Sequence, residues 1–133
     1  MNTDAVSILL VDDEPKNLVA LSAVLDGPDR RLVGVGSGEE ALRHLLHEDF
    51  AVILLDVHMP GIDGFDTAAL IRGREKTKDT PIIFLTAETR GQGFVSRGYS
   101  LGAVDYIVKP FSLKELSARV ELALRREPPA RQL

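Results

Sequence analysis

The 133-residue chain has no cysteine, no apolar run long enough to cross a bilayer and no surplus of positive charge. Lacking cysteine, it can form neither a disulfide nor a thiolate nucleophile, and nothing in it points to secretion. The opening residues MNTDAVS have neither the basic start nor the apolar segment of a signal peptide, so a cytoplasmic location is expected. A net charge of -4 gives no support for broad nucleic-acid or anionic-membrane binding.

What is present suits one domain with a single core. Charge is uneven: 13 of the 20 acids lie in residues 1–66, and 12 of the 16 Lys and Arg follow them. Both halves carry regular apolar periodicity, so the bias runs across one domain rather than marking a tail.

Five apolar strand candidates alternate with five helix candidates, the pattern of a parallel sheet covered on both faces. Val6 to Val11 is the first strand, stopped by Asp12-Asp13-Glu14. Pro15 suits a first helical turn, with Leu18, Leu21, Val24 and Leu25 facing inward. Leu32 to Val35 reads as a weak second strand. Gly34, Gly36 and Gly38 miss the dinucleotide fingerprint, whose third glycine would fall on Glu39, and read as a loop. Ser37 and Glu40 form a capping box for a helix burying Ala41, Leu42, Leu45 and Leu46. His44 and His47, one turn apart, read as an exposed polar face rather than a metal site.

The third strand, Ala51 to Leu55, ends in Asp56, and Pro60, Gly61, Asp63 and Gly64 then turn the chain. Phe65, Ala68, Ala69 and Ile71 mark a third helix running into a basic, solvated stretch from Arg72 to Lys78. Ile82 to Leu85 is the fourth strand, ending in Thr86. In 88–101, Phe94, Val95, Gly98 and Leu101 have helical spacing, but three glycines weaken it, and a short or mobile helix is expected. Val104 to Val108 is the fifth strand, ending in Lys109-Pro110. Ser112 and Glu115 form a second capping box, Leu113, Leu116, Val120 and Leu124 the last stripe, and Pro128-Pro129 begins a tail.

In a parallel sheet the strand ends would gather Asp12, Asp13, Asp56, Thr86 and Lys109 on one edge, where open α/β sheets bind ligands. Three crowded carboxylates call for a cation, and oxygen donors of this kind suit Mg²⁺. With one ammonium and one hydroxyl facing them, the group fits a single phosphoryl. Asp56 is then the nucleophile that forms an aspartyl phosphate. Asp13 and Asp56, with Asp12 nearby, hold the metal. Lys109 and Thr86 contact phosphoryl oxygens.

At these residues the sequence resembles the receiver domain of two-component response regulators. The matching pieces are Leu10 to Pro15, Leu55 to Gly64, Leu85-Thr86-Ala87 and Asp105 to Phe111, within a likeness spanning about residues 6–126. The resemblance implies a flavodoxin-like α/β fold, strand order 2-1-3-4-5, with helices on both faces, residues 1–127 being the domain and 128–133 a tail. It implies phosphotransfer from a histidine kinase or histidine phosphotransfer protein, Mg²⁺ as cofactor, and slow self-dephosphorylation without ordinary enzyme turnover. The backbone carbonyl of His58 becomes a further metal ligand. The side chains of His58 and Glu88 stand where phosphoryl lifetime is tuned. Thr86 and Tyr106 become a switch in which Thr86 moves toward the phosphoryl group and Tyr106 turns inward, altering the face of the fourth helix, fifth strand and fifth helix. A cis Lys109-Pro110 bond is implied, with room for a phosphorylation-dependent dimer and an output partner or attached domain that the residues do not name. Asp13 to Leu18 and Arg97 to Tyr106 are similar to receivers attached to hybrid sensor kinases.

Three other readings compete. A Mg²⁺-dependent phosphatase of the dehalogenase type would carry a second Asp where this chain has His58. A flavin carrier would not put Asp-Asp-Glu-Pro in its phosphate loop. A non-phosphorylated docking module has no need of all five site residues.

Overall fold

Apolar runs without alternation become strands covered on both faces. The computed structural model describes residues 5–87 and 91–125, the side chains of 91–94 excepted. Its elements are β1 (Val6–Val11), α1 (Pro15–Leu25), β2 (Arg30–Val35), α2 (Gly38–His47), β3 (Val52–Asp56), α3 (Gly64–Arg72), β4 (Ile82–Thr86), α4 (Gly91–Ser100), β5 (Ala103–Val108) and α5 (Leu113–Leu124). All strand pairs are parallel and the order is β2-β1-β3-β4-β5, as the resemblance implied.

Strand parity divides the core. Ile8, Leu10, Val52, Leu54, Ile83, Leu85 and Ile107 point to one face, covered by Leu21 and Leu25 of α1 and Leu116 and Val120 of α5. Leu9, Val11, Ile53, Leu55, Ile82, Phe84 and Tyr106 point to the other, covered from α2, α3 and α4. The strand order reverses between β1 and β3, so the connections leave them in opposite directions and open a crevice at their carboxyl ends.

Several sequence expectations need correction. β2 begins two residues early, at Arg30, and β5 one early, at Ala103. Leu46, one step around α2 from buried Leu45, faces outward at 57% exposure. Ala69 is likewise exposed beside buried Ala68. Leu113 sits in the first turn of α5, ahead of the residues that cover the sheet, and is also exposed. Both caps form on the serine side: Ser37 accepts from the Glu40 N–H at 3.1 Å and Ser112 from that of Glu115 at 2.9 Å. The glutamates do something else. Glu40 accepts from the Gly36 N–H, one residue before the capping serine, and Glu115 pairs with Arg119.

The expected solvated stretch is also partly built in. Thr77 is buried and donates to the Ile71 carbonyl at 2.6 Å, closing the end of α3. Arg72 is half-buried and reaches five carbonyls. They are Thr77, Lys78 and Thr80 in the loop before β4, and Leu101 and Gly102 in the turn before β5. Burial pulls its pKa below the ordinary arginine value, with Asp79 opposing. The rigid guanidinium fork makes one side chain sufficient for two loops.

α4 forms over ten residues despite its glycines. Tertiary contacts explain it: Val95 and Leu101 pack on the core, and a Cβ at Gly98 would lie 2.0 Å from the Tyr106 hydroxyl. Glycine there admits the ring. Phe94, Glu88 and Pro128-Pro129 lie outside the described side chains or residues.

Arg72→Ala should destabilise the domain by about 2–3 kcal/mol in urea unfolding, because charged hydrogen bonds are lost and partly buried carbonyls are stranded. Arg72→Lys should recover less than half, since an ammonium cannot span both loops. Equal stability of wild type and Arg72→Ala would show the fork to be idle.

Candidate functional site

Parallel register assembles the site. Val11 pairs with Leu55, so the next residues of β1 and β3, Asp12 and Asp56, emerge side by side. On the other flank Asp56 pairs with Leu85, which sets Thr86 one step further out. Thr86 in turn pairs with Val108, and Lys109 follows, its N–H donating to the Thr86 carbonyl at 2.7 Å. The loop after Asp56 folds tightly back. Gly64 donates to the Val57 carbonyl at 2.8 Å, and a Cβ on Gly64 would meet the Asp56 carbonyl oxygen at 2.2 Å. Only glycine lets α3 start there. Asp63 caps α3 by accepting from the Asp66 N–H at 2.8 Å.

Asp12, Asp13 and Asp56 each offer an oxygen, and these lie within 4.8 Å of one another. Asp12 and Asp56 are buried, Asp13 exposed. Lys109 Nζ bridges the buried pair, 3.0 Å from Asp12 Oδ2 and 3.4 Å from Asp56 Oδ2. Among the described residues, Lys109 places one ammonium against two of the three carboxylates. A cluster of hard oxygen donors with that charge deficit fits a small divalent cation such as Mg²⁺. Burial is the main cause lifting the Asp56 pKa from 3.8 to about 6, and the neighbouring Asp12 charge adds to it. Lys109 and the His58 backbone N–H hold it down. Burial disfavours the Lys109 ammonium, yet bonds and attraction from Asp12 and Asp56 win, and its pKa rises. At neutral pH the lysine is charged and Asp56 mostly ionised, a competent oxygen nucleophile.

Thr86 is fully buried at the end of β4. The Lys109-Pro110 bond is cis, as the resemblance implied. The Tyr106 ring lies inside, 9% exposed, between Phe84 and Tyr99 with centroids 5.5 Å from each. Phe65 continues this row, edge-on to Phe84 at 5.0 Å, and Arg97 of α4 lies 4.8 Å over the Phe65 ring. His58 is exposed, His44 half-buried and His47 exposed on α2. Asn17, to which the sequence analysis gives no role, donates to Asp12 at 3.1 Å. Gly98 as the partner of Tyr106 was equally unforeseen. No periodic signal marks either, because both act across the fold.

A fold of this order with acids at the β1 and β3 ends and a lysine after β5 defines a class. The chain belongs to the response regulator receiver domain family, whose model matches residues 8–121. It is 40% identical over 124 residues to the transcriptional regulatory protein ResD of Bacillus subtilis (strain 168), covering 93% of this chain and 50% of ResD. The chain therefore spans about half the length of this curated relative. Among solved structures, the non-phosphorylated HemR receiver domain from Leptospira biflexa matches with TM-score 0.84 and 35% identity, covering 93% of this chain and 98% of that one. The receiver domain of the sensor histidine kinase PA1611 from Pseudomonas aeruginosa PAO1 matches with TM-score 0.82 and 32% identity, covering 92% and 99%. That structure has a magnesium ion coordinated in its active-site cleft. Domains of this family are generally not classed as enzymes. No helix among the described residues is long and apolar enough to cross a membrane.

The Asp56 pKa sets a stability prediction. A group bound to its proton more tightly when folded contributes stability below its unfolded pKa, near 3.8, and loses it as pH rises through about 6. In metal-free buffer, Asp56→Asn should therefore be the more stable protein at pH 7.5, by about 3 kcal/mol at roughly 1.4 kcal/mol per pKa unit. The gap should close toward pH 4. Urea unfolding of both proteins across this range checks it, and a gap independent of pH would rule out burial of the charge as the cause.

Proposed function

We propose that Asp56 is the phosphoacceptor of a two-component signalling step, the donor being a phosphohistidine on a histidine kinase or histidine phosphotransfer protein. The observation that carries this reading is the convergence of three carboxylates and one ammonium at the β1, β3 and β5 ends. An Asp56 carboxylate oxygen attacks phosphorus and forms the O–P bond. The P–N bond of the donor breaks, and the imidazole nitrogen leaves with the electron pair and takes up a proton. Phosphoryl transfer of this kind asks for positioning and charge neutralisation more than covalent help. Lys109 supplies positive charge to the phosphoryl oxygens, and the Thr86 hydroxyl donates to one of them. Asp12, Asp13, Asp56 and the His58 carbonyl would hold Mg²⁺, which supplies further positive charge opposite the same oxygens. The side chains of His58 and Glu88 tune how long the phosphoryl group survives before water removes it.

The phosphorylated form acts on an output partner, an attached domain or a second copy, in the cytoplasm, through the face of α4, β5 and α5. Thr86 and Tyr106 are the moving parts. With Tyr106 already inside, phosphorylation would fix an existing inward ring rather than create one, a shift in population. Of the other readings, a phosphatase would turn over small phosphate esters beyond one equivalent per protein, and a docking module would take up no phosphoryl group.

Incubation with a small acyl phosphate and Mg²⁺ should add one phosphoryl mass to the wild type and none to Asp56→Asn, read by intact mass. Chelation of the metal should abolish the adduct. An adduct of equal yield on Asp56→Asn would move the acceptor elsewhere.

The ring slot can be tested separately. The chain has two tyrosines and no tryptophan, so in a Tyr99→Phe background the fluorescence reports Tyr106 alone. Adding Gly98→Ala should raise its quenching by acrylamide, since the new methyl takes the place of the hydroxyl. Unchanged quenching would show that α4 yields instead of the ring.

A further inference from the structure

Asn17 lies in the stretch from Asp13 to Leu18 that resembles hybrid-kinase receivers, and the mechanism above leaves it without a task. It is the third residue of α1, half-buried beneath the site. Its Nδ2 donates to Asp12 Oδ2 at 3.1 Å. The same oxygen accepts from Lys109 Nζ at 3.0 Å, while Oδ1 accepts from the Glu14 N–H at 2.9 Å. The amide has one workable orientation, because turned over it would set its carbonyl against a carboxylate.

We propose that Asn17 is a positioning residue that fixes the Asp12 carboxylate and keeps it partnered when Lys109 turns to the phosphoryl group. The inference rests on the function proposed above. Lys109 holds Asp12 and Asp56 together, yet phosphotransfer requires the same ammonium at the phosphoryl oxygens. Every displacement of Nζ in that direction weakens its bond to Asp12 Oδ2. Asp12 is only 1% exposed, so water is a poor substitute donor. A buried carboxylate oxygen stripped of donors is expensive, and that cost would tie the lysine to Asp12. The Asn17 amide is the second donor on this oxygen. It also limits rotation of the carboxylate, so that one Asp12 oxygen keeps facing Asp13 and Asp56. A neutral donor suits the role better than a cation, which would compete with the metal for the same oxygen.

The alternative is that Asn17 merely steadies the first turn of α1, which would affect stability and not the site. A thermodynamic cycle separates the two, using wild type, Asn17→Ala, Asp12→Ala and the double variant. Magnesium affinity is read by isothermal titration calorimetry, and single-turnover phosphorylation at saturating acyl phosphate gives a second readout. Alanine is the better helix former at position 17, so the variant should fold, which its unfolding midpoint verifies. Loss of a group that orients a metal ligand costs about tenfold in metal affinity, and that loss is expected for Asn17→Ala in the wild-type background. The saturating phosphorylation rate should fall in parallel. In the Asp12→Ala background the same substitution should change magnesium affinity less than about twofold, because contacting residues do not act additively.

An unchanged affinity for Asn17→Ala, or an equal loss in both backgrounds, overturns the inference and leaves the phosphoacceptor reading intact. A wild type that binds no magnesium at millimolar concentration overturns the metal site, and this inference with it.

Discussion

Among the described residues, too little positive charge for the negative charge gathered at one sheet edge is the constraint on which the rest of this molecule depends. Asp12 and Asp56 are both buried, and the Lys109 ammonium lies within 3.0 and 3.4 Å of them. Asp13 stands beside them exposed. A carboxylate withdrawn from water is costly unless it is paired and hydrogen-bonded. The lifted pKa of Asp56 is the sign that pairing here is incomplete. Folding tolerates this because the sheet beneath is so thoroughly buried, with every residue of β3 and β4 inaccessible. The apolar core supports a polar edge that would not hold together alone.

The same register that assembles the edge also ties it to a distant surface. Phe84 lies two residues before Thr86 on β4 and touches both Phe65 at the start of α3 and Tyr106 on β5. Three consecutive residues of α4 grip this row. Arg97 covers Phe65 and lies 3.8 Å from Asp66, Gly98 receives the Tyr106 hydroxyl, and Tyr99 packs edge-on to the same ring. Arg72 fixes the turn that follows. The end of α4 is thus set by aromatic contacts that begin next to the loop leaving Asp56. A displacement of Thr86 would be felt there through packed rings, which shift between discrete arrangements rather than deform smoothly.

Strand ends were legible in the sequence because each apolar run stops at a residue of sharply different chemistry, as Leu55 gives way to Asp56. Parallel pairing then leaves little freedom over which ends meet. Helix faces were legible where the stripe is narrow, as at Leu21 and Leu25, and not where a second apolar residue adjoins it, as at Leu46. The stretch from Arg72 to Lys78 has the composition of a solvated loop and is exposed at Gly73, Glu75, Lys76 and Lys78. Arg72 and Thr77 depart from that because they bond to carbonyls, two of them about thirty residues from Arg72. Glycine counts in α4 spoke against a helix, and only the Tyr106 ring shows why one of those glycines is needed. Asn17 carried no local signal, since its meaning depends on where the Asp12 carboxylate turns.

Lys109 cannot at once pair with Asp12 and Asp56 and take the role proposed for it in phosphotransfer. As the structure stands, it neutralises Asp12 and Asp56. Under the proposed function it would instead face oxygens that arrive with the donor. The resting arrangement therefore pairs Asp56 with the cation that the proposed reaction needs elsewhere. Moving that cation is favourable only if other positive charge takes its place beside the carboxylates and if Asp12 keeps a donor when the lysine leaves. Both conditions are local and both can be met from the crevice side. This would make phosphorylation depend on a rearrangement of a few ångströms at one side chain, with the backbone of all five strands held in place.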